Sequence, residues 1–196
     1  MSSQAFLIRI EGVNFDATIS DTNDLSTMRG GSLALLRLGD AVVAAVEGAK
    51  CVTAGASQAL FRVEREGEPA EVVIALREAV AARFAGAAAV SQAELDGRQP
   101  PFSQLTVVVD AVVETADAPA RLEAMNHARQ LRQWTVAPIA FVRDDGSAAD
   151  PFDGTRPANQ KVRLPRGKVL TLGEDDRDCD TVRLSTSVAA RRAYGR

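Results

Sequence analysis

The chain has 196 residues, 46% of them hydrophobic and 25% charged, and a formal net charge of −3. This fits a soluble globular protein of one large domain or a domain with an appendage, and the acidic balance argues against whole-molecule attraction to nucleic acid. Charge is uneven, however: 144–153 and 174–180 are acidic, while 161–168 and 191–196 are basic. Two cysteines, Cys51 and Cys179, make no disulfide framework and fit a reducing, cytoplasmic home. No basic-then-apolar leader opens the sequence, and no apolar run nears the roughly 20 residues that span a bilayer, so no membrane association is expected.

Ala5 to Ile10 reads as a buried strand with one polar position, Arg9. Glu11 follows at its C-terminal end, where functional side chains of open sheets emerge. The polar connector after it holds Asp16, Asp21 and Asp24, with Phe15 and Ile19 as apolar anchors. Leu25, Met28, Leu35, Leu36, Val42, Val43 and Val46 then recur at helical spacing, predicting a helix to about Gly48 with one face on a sheet. Gly30 and Gly31 interrupt that pattern, each costing about 1 kcal/mol relative to Ala in a helix interior. Two compatible readings follow. The helix starts late with Ser32 as its N-cap, or a ligand approaches bare backbone beside Arg29, with free N–H groups as a phosphate seat.

Lys50 to Thr53 and Gln58 to Glu64 predict an antiparallel hairpin joined by Ala54-Gly55-Ala56-Ser57. Cys51, inside the first of these strands, reads as a small core hydrophobe. Pro69 to Ala85 predicts an amphipathic helix with Val72, Val73, Leu76, Val80 and Phe84 on its apolar face. Gln104 to Val113 is a further strand. Pro119 to Trp134 is a third helix, with Leu122, Met125, Ala128 and Leu131 along it. The single histidine, His127, reads as a helix-surface residue rather than a general base, and Trp134 as packing at the helix end. The order β-α-β-β-α-β followed by a helix predicts an α+β fold of the split β-α-β, ferredoxin-like plan over residues 1–136, a plan that hosts many unrelated functions. Residues 137–196 read as an irregular appendage with a hairpin around Val162 to Leu172 and a short helix from Ser187 to Tyr194. Within it, Lys161, Arg163, Arg166 and Lys168 alternate as a basic strip, either a solvated hairpin face or an RNA-contact strip.

The run Ile8-Arg-Ile-Glu-Gly12, then Leu25-x-x-x-Arg-Gly-Gly-Ser32 ahead of a leucine-rich helix, resembles the palm domains of the large subunit of type III CRISPR effector complexes. Asp150-Pro-Phe-Asp153-Gly-Thr-Arg-Pro157-Ala158 has the frame of the zinc knuckle of that family, C-x-x-C-G-x-x-P-A. The ending Ser185-x-Ser-Val-x-x-Arg-Arg-x-Tyr-Gly195 is similar to its members as well. The resemblance implies a palm domain in a prokaryotic antiviral system, partnered by RNA-guided effector subunits or a second palm, with ATP and Mg²⁺ as the ligands to consider.

Active palms of that family are similar to nucleotide cyclases that make cyclic oligoadenylates, holding two divalent metals with carboxylates of the first strand and of a Gly-Gly-Asp-Asp hairpin turn. Here the turn carries no carboxylate, and Glu11 stands alone as a remnant metal carboxylate. One carboxylate and a serine make a poor cage for two Mg²⁺ ions. The expectation is therefore a non-catalytic role in assembly or nucleotide sensing, with Arg29, Gly30, Gly31, Ser32, Gly55 and Ser57 as nucleotide-binding residues. The alternatives are an active cyclase or polymerase whose metal site a partner completes, and an unrelated regulatory or interaction domain sharing the fold. In the knuckle frame Asp150 and Asp153 replace the first cysteine pair, and Asp176 and Cys179 stand as the second. Structural zinc prefers thiolate and imidazole, so the frame is expected to be a metal-free loop, or at best a weak hard-cation site.

Overall fold

The computed structural model describes residues 3–13, 18–19, 21–22, 24–84, 90–132, 149–152, 156, 158–165 and 179–196, with backbone alone at 163–165 and 179–181. Four strands, β1 (Gln4–Val13), β2 (Lys50–Ala54), β3 (Gln58–Arg65) and β4 (Thr106–Val113), form one sheet in the order β2-β3-β1-β4. Every neighbouring pair is antiparallel. The central strand β1 alternates Phe6, Ile8 and Ile10 toward one face and Leu7 toward the other, so both faces need a cover. The protein is thus α+β, with helices on both sides of an antiparallel sheet.

The first face is covered by α1 (Leu25–Leu36), α2 (Leu38–Ala45) and α3 (Pro69–Ala81). Leu35, Leu38, Val42, Leu76 and Val80 pack there on Phe6, Ile8, Ile10, Phe61 and Val63. α3 begins as its sequence signals require. Glu68 caps it, its carboxylate accepting from the N–H groups of Ala70 at 2.8 Å and Glu71 at 3.3 Å, and Pro69 fills the first turn. The single helix expected up to Gly48 is corrected to two helices, broken at Arg37. The break turns Leu36 and Val43 outward, while Leu38 and Val42 stay in the core.

The opposite face is covered by α5 (Ala118–Arg132), where Leu7 and Val112 meet Ala118 and Leu122. Its buried stripe is Ala118, Leu122 and Asn126, one residue every four. Met125 and Leu131 are exposed, Leu131 at 88%. An asparagine replaces an apolar residue in this stripe because β4 presents a buried carboxylate, Asp110, at that point. Cys51 is corrected from core to surface, since β2 is the edge strand and all five of its residues are exposed.

After α5 the described chain resumes with 149–152. β5 (Gln160–Pro165) pairs antiparallel with β6 (Cys179–Leu184), so the second strand of this hairpin lies later than the expected limit at Leu172. α6 (Thr186–Tyr194) follows, close to where sequence placed it. It packs on α1 and on the short helix α4 (Gln92–Leu95), which opens with a capping box between Ser91 and Glu94. Three glycines let the backbones approach: a Cβ on Gly30 would overlap the Arg191 carbonyl, one on Gly195 the Ser26 carbonyl, and one on Gly97 the Ala193 carbonyl. The side chain of Arg191, fully buried, reaches past α1 to the connector before it. Its guanidinium donates to Asp21 Oδ1 at 2.8 Å and Oδ2 at 2.9 Å, and to the Thr18 carbonyl. Arg156 also binds Asp21, and Arg192 binds Asp24.

Asp150 has no exposure to solvent. Its Oδ1 accepts from the Phe152 N–H at 2.7 Å, its Oδ2 accepts from the Ser185 N–H, and its own N–H donates to the Arg156 carbonyl. One carboxylate therefore ties the turn at Pro151 and Phe152 to Ser185, the residue that caps α6, through hydrogen bonds. Asp150→Asn keeps one acceptor and turns the other oxygen into a donor against an N–H. The expected cost is about 1–3 kcal/mol, read as a lower urea midpoint with unchanged slope.

Candidate functional site

The end of β1 and the turn between β2 and β3 meet at one corner of the sheet. The Gly12 N–H donates to the Ser57 carbonyl at 2.7 Å, and the Gly55 N–H closes the turn on the Gln58 carbonyl at 2.8 Å. Register places Glu11 directly beside Gln58, and Arg9 between Leu60 and Asp110. On the face that α5 only partly covers, one Arg9 terminal nitrogen donates to Glu11 Oε2 at 3.1 Å and to Gln58 Oε1 at 3.0 Å. Both charged side chains are about four-fifths shielded, at 21% exposure each. The Arg9 Nε is buried and has no hydrogen-bond partner. A cleft of about 190 Å³ opens beside them, lined by Arg9, Thr53, Gly55 and Gln58 together with Leu60, Pro119 and Leu122.

A second charged pair adjoins this one across the β1–β4 ladder. Asp110, fully buried, accepts from Arg129 Nε at 3.0 Å and from a terminal Arg129 nitrogen at 2.6 Å, while Asn126 reaches its other oxygen at 3.4 Å. The hydrogen bond to Asp110 raises the Arg129 pKa further above its ordinary value despite partial burial. Asp110 thus belongs to Arg129, and Arg9 to Glu11. The corner holds two compensated pairs rather than a free carboxylate cage.

Among the residues anticipated from sequence, Glu11, Gly55 and Ser57 come together here. The Arg29–Ser32 stretch does not join them. α1 begins at Leu25 with Asp24 as its N-cap, the carboxylate accepting from the Thr27 N–H at 2.9 Å, which corrects the late start at Ser32. Ser32 lies inside the helix, its hydroxyl donating to the Met28 carbonyl at 3.0 Å. Arg29 is exposed, Gly30 is covered by α6, and a Cβ on Gly31 would overlap the Thr18 carbonyl. Two adjacent glycines in a helix interior are explained here by close backbone packing. From the helices after Ser32, Leu35, Leu36, Leu38, Gly39, Asp40 and Val43 line a cleft of about 200 Å³ together with Ala54, Gly55 and Gln58 of the hairpin.

Asp21 and Asp24 are engaged by arginines, away from the corner. His127 is exposed on α5. Asp16, Trp134, Asp153, Arg166, Lys168 and Asp176 lie outside the described residues, as do the side chains of Arg163 and Cys179. Among the described residues no three His, Cys, Asp or Glu side chains converge as a metal site, and no helix is long and apolar enough to cross a membrane. Sequence reasoning passed over Gln58 and Asp110. Asp110 had a visible signal, as the lone acid inside the apolar run Val107 to Val113, whereas the part played by Gln58 depends on strand register. Comparison with models of known protein families and with characterised proteins found no match for this chain.

Proposed function

We propose that the chain is a ferredoxin-like palm domain of the type III CRISPR large-subunit kind, without two-metal catalysis, serving assembly or nucleotide sensing in a prokaryotic antiviral system. The observation that carries this reading is the Arg9 guanidinium bound to Glu11 and Gln58, at the corner where a palm of that family holds its divalent metals. Two-metal transfer needs several carboxylates free to converge on the ions. Here the one carboxylate of the first strand already has its counter-charge, and the turn Ala54 to Ser57 supplies none. The Arg9 guanidinium stands in the wall of the 190 Å³ cleft, its charge balanced by Glu11. The apolar Leu60, Pro119 and Leu122 beside it suit the flat face of a base. The split β-α-β order and the strand order β2-β3-β1-β4 agree with the same plan.

Incubation with ATP and Mn²⁺ tests the loss of catalysis. No linear or cyclic oligonucleotide is expected; a product that disappears in Glu11→Ala would establish the active-cyclase alternative instead. Affinity purification from a native host tests the setting. Effector subunits or RNA are expected to accompany the protein, and their consistent absence would favour an unrelated interaction domain that shares the fold.

A further inference from the structure

The hairpin of β5 and β6 presents two unlike faces. Val162 and Val182 pair across the ladder and pack with Leu184 and Val188 against α6. The alternate positions place Lys161 directly opposite Arg183, both exposed. Like charges set directly across a ladder destabilise it, and neither side chain has a carboxylate partner among the described residues.

Around the edge of β5, a groove of about 490 Å³ runs between α4, β5 and α6, bordered by Lys161, Arg196 and the amides of Gln92 and Gln160, and by Arg192, whose charge is paired with Asp24. Among the described residues the acid on its wall is Asp96, already bound by Arg98 at 2.6 Å and by Gln92 at 2.8 Å. Lys161 lies on both the outer face and the groove, so the two places for an anion are adjacent and joined.

We infer that this face and groove bind the phosphodiester backbone of a nucleic acid. A phosphate offers several exposed oxygens to an ammonium and a guanidinium at once and removes the repulsion between Lys161 and Arg183. Two linked anion positions fit a polymer of regularly spaced charges better than a single small anion. Among the described residues no aromatic side chain lines the groove for a base to stack on, so the contact proposed is with the backbone and is independent of base sequence. The net charge of −3 does not oppose this, because a local cluster acts within a Debye length of about 8–10 Å. The inference stands independently of the palm reading.

The test is fluorescence anisotropy of the full chain with labelled oligouridine RNA, oligothymidine DNA and a DNA duplex, each over a series of salt concentrations. Binding that weakens with salt is expected, and the three probes identify which nucleic acid is preferred. Lys161→Glu/Arg183→Glu should lower the slope of log K against log salt by about 1.4 on a single strand, two contacts at about 0.7 each, with the melting temperature kept. Lys161→Arg/Arg183→Lys should bind as the parent does. Arg121→Glu/Arg132→Glu makes the same change in net charge on the exposed face of α5 and should leave the slope unchanged. Absence of binding to all three probes at low salt would overturn the inference. So would an equal loss in the α5 variant, or competition by polyglutamate as effective as that by RNA.

Discussion

Gly30→Ala is expected to melt well below the parent chain, although alanine is the better helix former. The substitution gains about 1 kcal/mol of intrinsic propensity within α1. Against that, its Cβ overlaps the carbonyl oxygen, the carbonyl carbon and the Cα of Arg191. Overpacking of a core costs about 1–3 kcal/mol, and occasionally more, when side chains can shift to absorb it. Here the obstacle is the backbone of α6, which moves only with the whole helix, and its Arg191 side chain is anchored on Asp21. The net loss should reach about 2–3 kcal/mol, or about 4–12 °C for a chain of this size at 2–4 °C per kcal/mol. Gly55→Ala is the control, since its Cβ would sit 3.5 Å from the Gln58 Cγ, an ordinary contact, and its φ is not positive. That variant should stay within about 0.5 kcal/mol of the parent. A Gly30→Ala chain melting at the parent temperature would remove close packing as the reason for the glycine pair.

Replacing Arg191 by Met should be more damaging still. Arg191 is wholly buried, and the Asp21 side chain retains only 9% exposure. Removing one partner of a buried ion pair leaves a charge without compensation and costs about 3–5 kcal/mol. Arg156 still binds Asp21, which places the expected loss toward the lower end. The double variant Arg191→Met/Asp21→Asn should recover part of that loss, because both charges are then gone; no recovery would mean that the two residues contribute separately.

The same contacts set a pH dependence. Burial pushes the Asp21 carboxyl up, but hydrogen bonds and charge from Arg191 and then Arg156 outweigh it and hold the group below its ordinary value of 3.8. For Asp24 burial likewise raises, while Arg192 and Thr27 lower, with the net again below 3.8. A folded-state pKa below the unfolded one contributes stability that is fully present above the unfolded value and is lost as pH falls through the folded value. Melting temperatures taken from neutral pH downward should therefore be steady until about pH 4 and then fall, as paired carboxylates take up protons. The fall should be shallower in Arg191→Met/Asp21→Asn. An identical acid limb in both proteins would place the titrating groups elsewhere.

What could be read from the sequence was what neighbouring residues decide. Pro69 after Glu68, followed by Val72, Leu76 and Val80, specifies a helix start and its inward stripe within a dozen residues, and α3 matches it. Phe6, Ile8 and Ile10 likewise announce a strand, and the segment between Thr53 and Gln58 its turn. Where sequence and structure part, the deciding partner is distant along the chain. Nothing near Gly30 indicates that Arg191 will lie against it, so a packing requirement resembled a seat for phosphate. Asp24, the N-cap of α1, was read as part of the polar connector because the glycine pair at 30 and 31 moved the expected helix start to Ser32. At the candidate site, Glu11 at the end of the first strand and a turn without carboxylates were legible. The cation that now occupies Glu11 was visible only as an odd arginine in an apolar strand. Its attachment to Gln58 exists solely because β1 and β3 pair in one register. Asp150 stood out only as a substituted position in a knuckle-like frame, and its partner Ser185 stands 35 residues away.

The seam between α1 and α6 also governs how the chain is made. α1 leaves the ribosome long before α6, carrying two glycines that weaken it as an independent helix and a flat stripe of Thr27, Gly30, Gly31 and Ala34 with little apolar surface to bury. Until α6 has been synthesised, Gly30 lacks its neighbour, and Asp21 and Asp24 lack Arg191 and Arg192. The sheet core can assemble earlier, because Phe6, Phe61 and Val109 all belong to the first 113 residues. Maturation of the nascent protein therefore has a late step, the closure of a contact between residues some 160 positions apart, and such long-range closures are the slow ones in folding. A translational pause before Ser185 would prolong a half-built form with one helix unanchored.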